Sequence, residues 1–170
     1  MWHKTIIQRL KHNRNIFEAS LRNISSEQAR WKYSPEKWSI LEVVNHLLDE
    51  ENGDFRQRLQ FALLSPDEPW RRIRPEEWVS EKDYNKKDFQ SSLDELLAGR
   101  EKSIRWLNTL SSPDWSAEDN YPYGKTMTAE EILVNWLAHD FLHLRQIVRL
   151  NWQYLSNLVP SIDLGYAGDW

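Results

Sequence analysis

Two histidines, His139 and His143, lie four residues apart in a segment whose apolar residues recur at helical spacing. On an α-helix this spacing places both imidazoles on one face, one turn apart, where they can bind the same metal ion. Asn135 and Gln146 fall on the same narrow stripe, and the rest of the helix is almost entirely apolar. Polar side chains on an otherwise buried helix need partners, because an unpaired buried polar group is costly. A metal ion would supply one. The alternative is two ordinary helical histidines, one bonded to a backbone carbonyl and one exposed.

A catalytic metal site with an open position needs a third protein ligand. His46 is the best candidate, and it lies on the flank of a second helical segment beside Val43 and Glu50. A flank position suits a ligand at the mouth of a helical bundle and equally suits an exposed histidine. Three neutral imidazoles favour Zn, Ni, Fe or Co over Mg or Ca, so we expect a divalent transition metal, with Zn or Ni first. His3 and His12 are expected at the surface.

The run from His139 to His143 also resembles the H-E-x-x-H motif of zinc proteases, with Asp140 in place of the glutamate base. No glutamate follows Glu131, and Arg149 stands where the longer motif has its third histidine. These departures argue against a protease. The chain has no cysteine, which excludes disulfides, thiolate metal ligands and cysteine nucleophiles. It also has neither a G-x-S-x-G motif nor a glycine-rich phosphate loop.

Four helices and no strand are predicted from the apolar spacing and from start and stop signals. Ser39 with Glu42, and Thr128 with Glu131, have the spacing of capping boxes. The predicted helices run from about Trp2 to Leu21, from Ser39 to Pro66, from between Asp83 and Asp88 to Pro113, and from Thr128 to Pro160. The connections at about 25–38, 66–82 and 111–127 are long enough for crossovers. The sequence therefore predicts an all-α, four-helix bundle with long crossover connections, in a single domain over residues 1–170.

The composition is typical of a globular protein of one domain, with 40% hydrophobic and 28% charged residues among 170. The formal net charge of -4 argues against a dedicated nucleic-acid binder. The sequence has no apolar stretch approaching the roughly 20 residues of a membrane span, and its first residues lack the apolar run of a signal peptide. We therefore expect a cytoplasmic protein that binds neither membranes nor nucleic acid.

Two stretches of the sequence resemble the DinB-like (damage-inducible) family. Residues 38–47, WSILEVVNHL, are similar to the second helix of that family, and residues 124–131 with 136–147 are similar to its fourth. The resemblance implies a four-helix bundle with a crossover, commonly a homodimer, and a divalent metal held by His46, His139 and His143. Characterised relatives include transferases and isomerases that use low-molecular-weight thiols, bacillithiol transferases among them. Many other members are described as metal-dependent hydrolases.

The leading hypothesis is a metal-dependent enzyme, either a thiol-dependent S-transferase or a hydrolase, acting on a small electrophilic molecule. Glu50, one turn after His46, is a weaker candidate for a base, and Gln146 is one for orienting a ligand or substrate. The alternative is a non-enzymatic, stress-related helical dimer whose metal site is vestigial. Nucleic-acid binding, suggested only by the name of the family, is disfavoured by the net charge.

Overall fold

A computed structural model describes residues 2–65 and 69–168, and within these ranges two isolated β-bridges occur but no β-strand. The α-helices are α1 Trp2–Leu21, α2 Ser26–Arg30, α3 Ile40–Glu50, α4 Arg56–Leu64, α5 Pro75–Glu81, α6 Phe89–Thr109 and α7 Ala129–Leu158. A π-helical turn, Glu51–Phe55, joins α3 and α4 into one continuous rod. None of the described helices has an apolar stretch of the length needed to cross a lipid bilayer.

The helix starts follow the local sequence signals. Ser39 caps α3 and Thr128 caps α7, and each forms the predicted reciprocal capping box with the glutamate three residues later. Asp88 caps α6 by accepting a hydrogen bond from the backbone amide of Ser91. The four predicted helices are therefore present, although α2 and α5, both short, were not predicted. Pro66, the predicted end signal of the second helix, lies outside the described residues.

The four long elements form a bundle in which α1 lies diagonally opposite the α3–α4 rod, and α6 lies diagonally opposite α7. Both α1 and the α3–α4 rod pack against α6 and α7. The order of the side-chain contacts shows that α6 runs antiparallel to α1 and parallel to the rod. Likewise α7 runs parallel to α1 and antiparallel to the rod. Parallel neighbours need long crossover connections, so the predicted crossover bundle is confirmed.

The core consists of two apolar clusters separated by a layer of buried polar side chains. One cluster surrounds the first half of the rod, and the other surrounds α4 and the start of α7. Each long element contributes to the polar layer between them, whose central members are Asn13, Glu51, Arg100, Ser103 and Asp140. The layer crosses the middle of the bundle, where each long element passes from one cluster to the other.

Arg100 is the centre of this polar layer and is only 3% exposed. Its guanidinium donates to both carboxylate oxygens of Asp140 at 2.7 Å and to Glu51 at 2.8 Å. Asn13 donates to Asp140 at 3.1 Å, and Trp136 donates to Glu51 at 3.0 Å. Burial alone would lower the pKa of Arg100, but the two carboxylates raise it above the ordinary guanidinium value. This network therefore connects α6 to α1, to the π-helical turn and to α7 through hydrogen bonds and ion pairs.

Gly99 precedes Arg100 and has a packing role that offsets its low helix propensity. A Cβ at this position would lie 3.2 Å from the Oδ1 atom of Asn52 on the π-helical turn. The glycine therefore allows α6 to approach the rod closely, which brings Arg100 within reach of Glu51.

Two expectations from the sequence are wrong. His3 is buried, because its ring stacks between Trp2 and Trp115 with centroid distances of 3.8 and 4.5 Å. The fourth predicted helix is not buried all round either, since Phe141 of α7 is 49% exposed and Val148 is similarly open. His12 is exposed, as expected.

Replacing Arg100 by Met should destabilise the protein by about 3–5 kcal/mol, because Asp140 and Glu51 would keep buried charges without their cationic partner. Urea denaturation of the wild type and the variant measures this loss. The control is Arg105→Met, which removes an exposed ion pair with Glu101 and should change stability by less than about 1 kcal/mol. Equal stabilities of the two variants would contradict a central role for Arg100.

Candidate metal centre

The three predicted histidines meet at one point between the rod and α7. His46 lies on α3, and the antiparallel α7 brings His139 and His143 opposite it. The Nε2 atom of His139 lies 3.2 Å from Nε2 of His46 and 3.1 Å from Nε2 of His143. One nitrogen from each ring lies within 4.8 Å of the others. Two nitrogens bound to one zinc ion at about 2.0–2.1 Å and a tetrahedral angle are about 3.3 Å apart, so this spacing suits a shared ion.

Gln146 sets the protonation of one of these rings. Its side-chain oxygen Oε1 lies 2.8 Å from Nδ1 of His143. An amide oxygen can only accept a hydrogen bond, so Nδ1 carries the proton and Nε2 keeps a free lone pair. Metal-binding histidines in proteins are characteristically oriented by such a bond to the second nitrogen. This direct contact supports the expected role of Gln146 in orienting a ligand.

The protonation states available to the three neutral imidazoles favour a bound cation between them. Nε2 of His143 has no proton, so its contact with His139 is a hydrogen bond only if Nε2 of His139 is protonated. That proton cannot also serve the contact between His139 and His46. At most one of the two close contacts can therefore be a hydrogen bond among neutral rings. A cation bound by three lone pairs would make both contacts favourable, and three imidazole nitrogens are a donor set suited to zinc or nickel.

The surroundings of the three imidazoles are mainly apolar. His46 and His143 are only 6% and 5% exposed, while His139 is half-buried. The ring of Trp38 lies 5.0 Å from that of His46, and the ring of Phe55 lies 5.1 Å from that of His139, measured between centroids. These aromatic rings shield the histidines from water on two sides, which strengthens electrostatic interactions at the site.

The two acidic residues considered for catalysis have partners other than the imidazoles. Asp140 follows His139 directly, but its carboxylate is held by Arg100 in the polar layer. This explains why the likeness to the zinc protease motif does not extend to its base. Glu50 is buried and hydrogen-bonds to Asp54 one turn further along the rod, where burial raises the pKa of Asp54. Sequence reasoning did not identify this second carboxylate.

Burial keeps the three imidazoles neutral at physiological pH. Burial, assisted by the neighbouring His143, lowers the pKa of His46 to about 3. Burial and the two adjacent histidines lower the pKa of His139 to about 3 as well. Burial also lowers the pKa of His143, against the opposing effect of its bond to Gln146. All three rings are therefore in the form that binds a metal ion.

Metal-free protein should lose stability as the pH falls below 6.5, the ordinary pKa of histidine. Between pH 6.5 and about 3 the unfolded chain binds protons that His46 and His139 in the folded chain do not. The loss should reach up to about 2 kcal/mol for each of these histidines between pH 7 and pH 5. Urea denaturation at several pH values measures it. His46→Gln should show a smaller loss, and His12→Gln should match the wild type. A loss for His46→Gln as large as that of the wild type would refute this explanation.

The fold has a close structural counterpart. The chain is similar in structure to YfiT from Bacillus subtilis, a probable metal-dependent hydrolase with an unusual four-helix bundle topology. The TM-score is 0.79 and the identity is 21%, with 89% of this chain and 87% of that chain covered. At this level of identity the likeness establishes the fold. Among curated proteins, no sequence matches significantly.

The sequence also matches a family model. The model is that of the DinB superfamily, and the match covers residues 9–147. This range contains all four long elements in whole or in part and all three clustered histidines. The chain belongs to the DinB superfamily.

Proposed function

We propose that this protein is a metal-dependent enzyme in which His46, His139 and His143 bind one divalent transition metal ion, Zn or Ni first. The observation that supports the proposal best is the convergence of three Nε2 atoms, with two contacts of 3.1 and 3.2 Å. Three protein ligands leave further coordination positions for a substrate or a water molecule. The reaction we favour is hydrolysis of a small electrophilic substrate, in line with the description of YfiT as a probable metal-dependent hydrolase.

The residues of this chain would hold the ion and exclude water around it. A divalent ion at this position supplies Lewis acidity, which lowers the pKa of a bound water or thiol and polarises a substrate carbonyl. Gln146 keeps the Nε2 lone pair of His143 directed at the other two rings. Trp38 and Phe55 cover two sides of the histidine cluster. Arg100 holds Asp140, and with it the turn of α7 that carries His139.

A thiol-dependent S-transferase is the second candidate function. The chain has no cysteine of its own, so a thiol nucleophile would have to arrive as a substrate. The resemblance to DinB-like transferases that use low-molecular-weight thiols favours this reaction. A purely structural bundle with a vestigial site is the non-enzymatic alternative. The homodimer implied by the resemblance stays a prediction.

Removing any one of the three histidines should abolish stoichiometric metal binding. We expect His46→Ala, His139→Ala and His143→Ala each to weaken the binding of zinc, nickel or cobalt by more than about 100-fold. Loss of a residue that only orients a ligand costs about 10- to 100-fold in metal affinity, and loss of the ligand itself should cost more. Protein without an affinity tag is analysed for metal content and titrated with cobalt, whose absorption reports coordination. His12→Ala is the control, because His12 is exposed on α1. Unchanged metal content in all three variants would rule out this site.

Gln146→Leu should weaken metal binding by about 10- to 100-fold without removing a ligand. The variant loses the bond that fixes the proton on Nδ1 of His143, so this ring would have to adopt the correct form and orientation during binding. The same cobalt titration measures the change. An affinity equal to that of the wild type would show that Gln146 has no orienting role.

Turnover distinguishes the three functions. A hydrolase should cleave activated esters or amides only with metal bound, and an S-transferase should couple a low-molecular-weight thiol to monochlorobimane only with metal bound. Both activities should be lost in His139→Ala, and adding metal to this variant should restore neither of them. If the metal-loaded protein has neither activity with a broad set of substrates, the structural alternative is favoured.

A further inference from the structure

The face of α7 that carries the two histidines continues into a pocket. His139, His143, Gln146, Leu150 and Gln153 follow one another at intervals of four, three, four and three residues. This spacing places all five on one side of the helix. The last three residues line a pocket of about 200 Å³ between α7 and the segment that precedes α3. The pocket is therefore an extension of the helix face that forms the candidate metal centre.

Two side chains of the pocket touch the histidines directly. Trp38 forms one wall of the pocket, and its ring lies 5.0 Å from that of His46. Gln146 lines the pocket as well, and its oxygen lies 2.8 Å from Nδ1 of His143. Only one layer of side chains thus separates a molecule in the pocket from the imidazoles. Because the oxygen of Gln146 faces His143, its amide NH₂ group is available for a ligand.

The charged side chains that line the pocket are both cationic, although the whole protein carries a formal charge of -4. Lys37 and Arg149 both line it, and none of its described lining residues is acidic. Within residues 2–65 and 69–168, neither cationic side chain forms an ion pair or a hydrogen bond, although Lys37 interacts electrostatically with Glu36, the exposed residue before it in the chain. Exposed cations are common, but here two of them border one concave site together with the side-chain amides of Gln146 and Gln153. A guanidinium, an ammonium and amide donors are the groups that bind carboxylates.

We propose that this pocket binds a carboxylate group of the substrate and that the substrate is therefore a small organic anion. The proposal rests on the metal-dependent function proposed above and adds its substrate class. A volume of about 200 Å³ holds about seven water molecules, which suits one end of a small molecule rather than a polymer. With its carboxylate held by Lys37 and Arg149, the uncharged part of the molecule packs on Trp38 beside the histidines.

The test compares succinate with its neutral analogue succinamide. Both are titrated into the full-length protein, metal-free and zinc-loaded, while the indole N–H signals of the tryptophans are followed by NMR. The signal of Trp38 is assigned with Trp38→Phe. We expect succinate to shift this signal and to bind at least tenfold more tightly than succinamide, in both forms of the protein. The metal-free form matters because succinate can also bind zinc.

The double variant Lys37→Gln/Arg149→Gln should weaken succinate binding at least tenfold and leave succinamide binding unchanged. The matched control, Lys102→Gln/Arg145→Gln, removes the same charges from exposed positions outside the pocket and should bind succinate as the wild type does. Equal binding of the two probes to the wild type would overturn the proposal. Wild-type affinity in the pocket variant would overturn it too.

Metal content, measured on the same samples, separates this proposal from the proposed function. If succinate binds the pocket but no metal binds the histidines, the carboxylate site stands and the metal-dependent function fails. If metal binds the histidines but succinate does not bind in preference to succinamide, the carboxylate site alone fails. His46→Ala should lose metal and keep succinate binding to the metal-free protein.

Discussion

The bundle depends on one buried interaction, the contact of Arg100 with Glu51 and Asp140. A guanidinium in a low-dielectric interior is tolerated only when its donors meet acceptors, and here three of its hydrogen bonds reach carboxylate oxygens at 2.7–2.8 Å. Such a network need not stabilise the fold more than an apolar core would. What it does is specify one register, because sliding α6 along the rod or along α7 would leave a buried charge without a partner. In a bundle with crossovers, where apolar stripes alone allow several registers, this specificity matters.

The same polar layer positions the candidate metal centre. Asp140 follows His139 in the chain, and its carboxylate is bound by Arg100. This ion pair therefore fixes the turn of α7 that also carries the imidazole of His139. On the rod, Glu51 lies five residues after His46, at the point where the helix widens into the π-helical turn. The extra residue in a π-helical turn changes the direction of the side chains on either side of it, and such turns are frequent at functional sites. The histidine cluster and the charged network are therefore adjacent, because His139 is next to Asp140 in the chain and His46 lies on the same rod as Glu51.

Much of this arrangement could be predicted from the sequence, because it depends on local signals. Capping boxes, apolar spacing and the interval between His139 and His143 are properties of short segments, and His46 was reached from the need for a third ligand. The buried charges were not predicted, although a signal existed: Arg100 and Asp140 each occupy a core position within an apolar stripe. Single-sequence reasoning treats a helical charge as solvated, and only the packing of three helices shows its partners. For the same reason the burial of His3 depends on Trp115, which is distant in the chain.

The candidate site also indicates where its chemistry must come from. Among the side chains in contact with the imidazoles are Trp38, Phe55 and Gln146, and none of these three is an acid or a base at neutral pH. These three side chains therefore supply neither a proton donor or acceptor for catalysis nor a nucleophile. What the site provides is three neutral lone pairs held together by burial, which at physiological pH is the requirement for binding a cation. A site of this kind leaves the nucleophile to the solvent or to a second substrate and leaves recognition to neighbouring groups. Of these neighbouring groups, Trp38 comes from the segment between α2 and α3, and connecting segments of this kind often carry the binding residues of a fold.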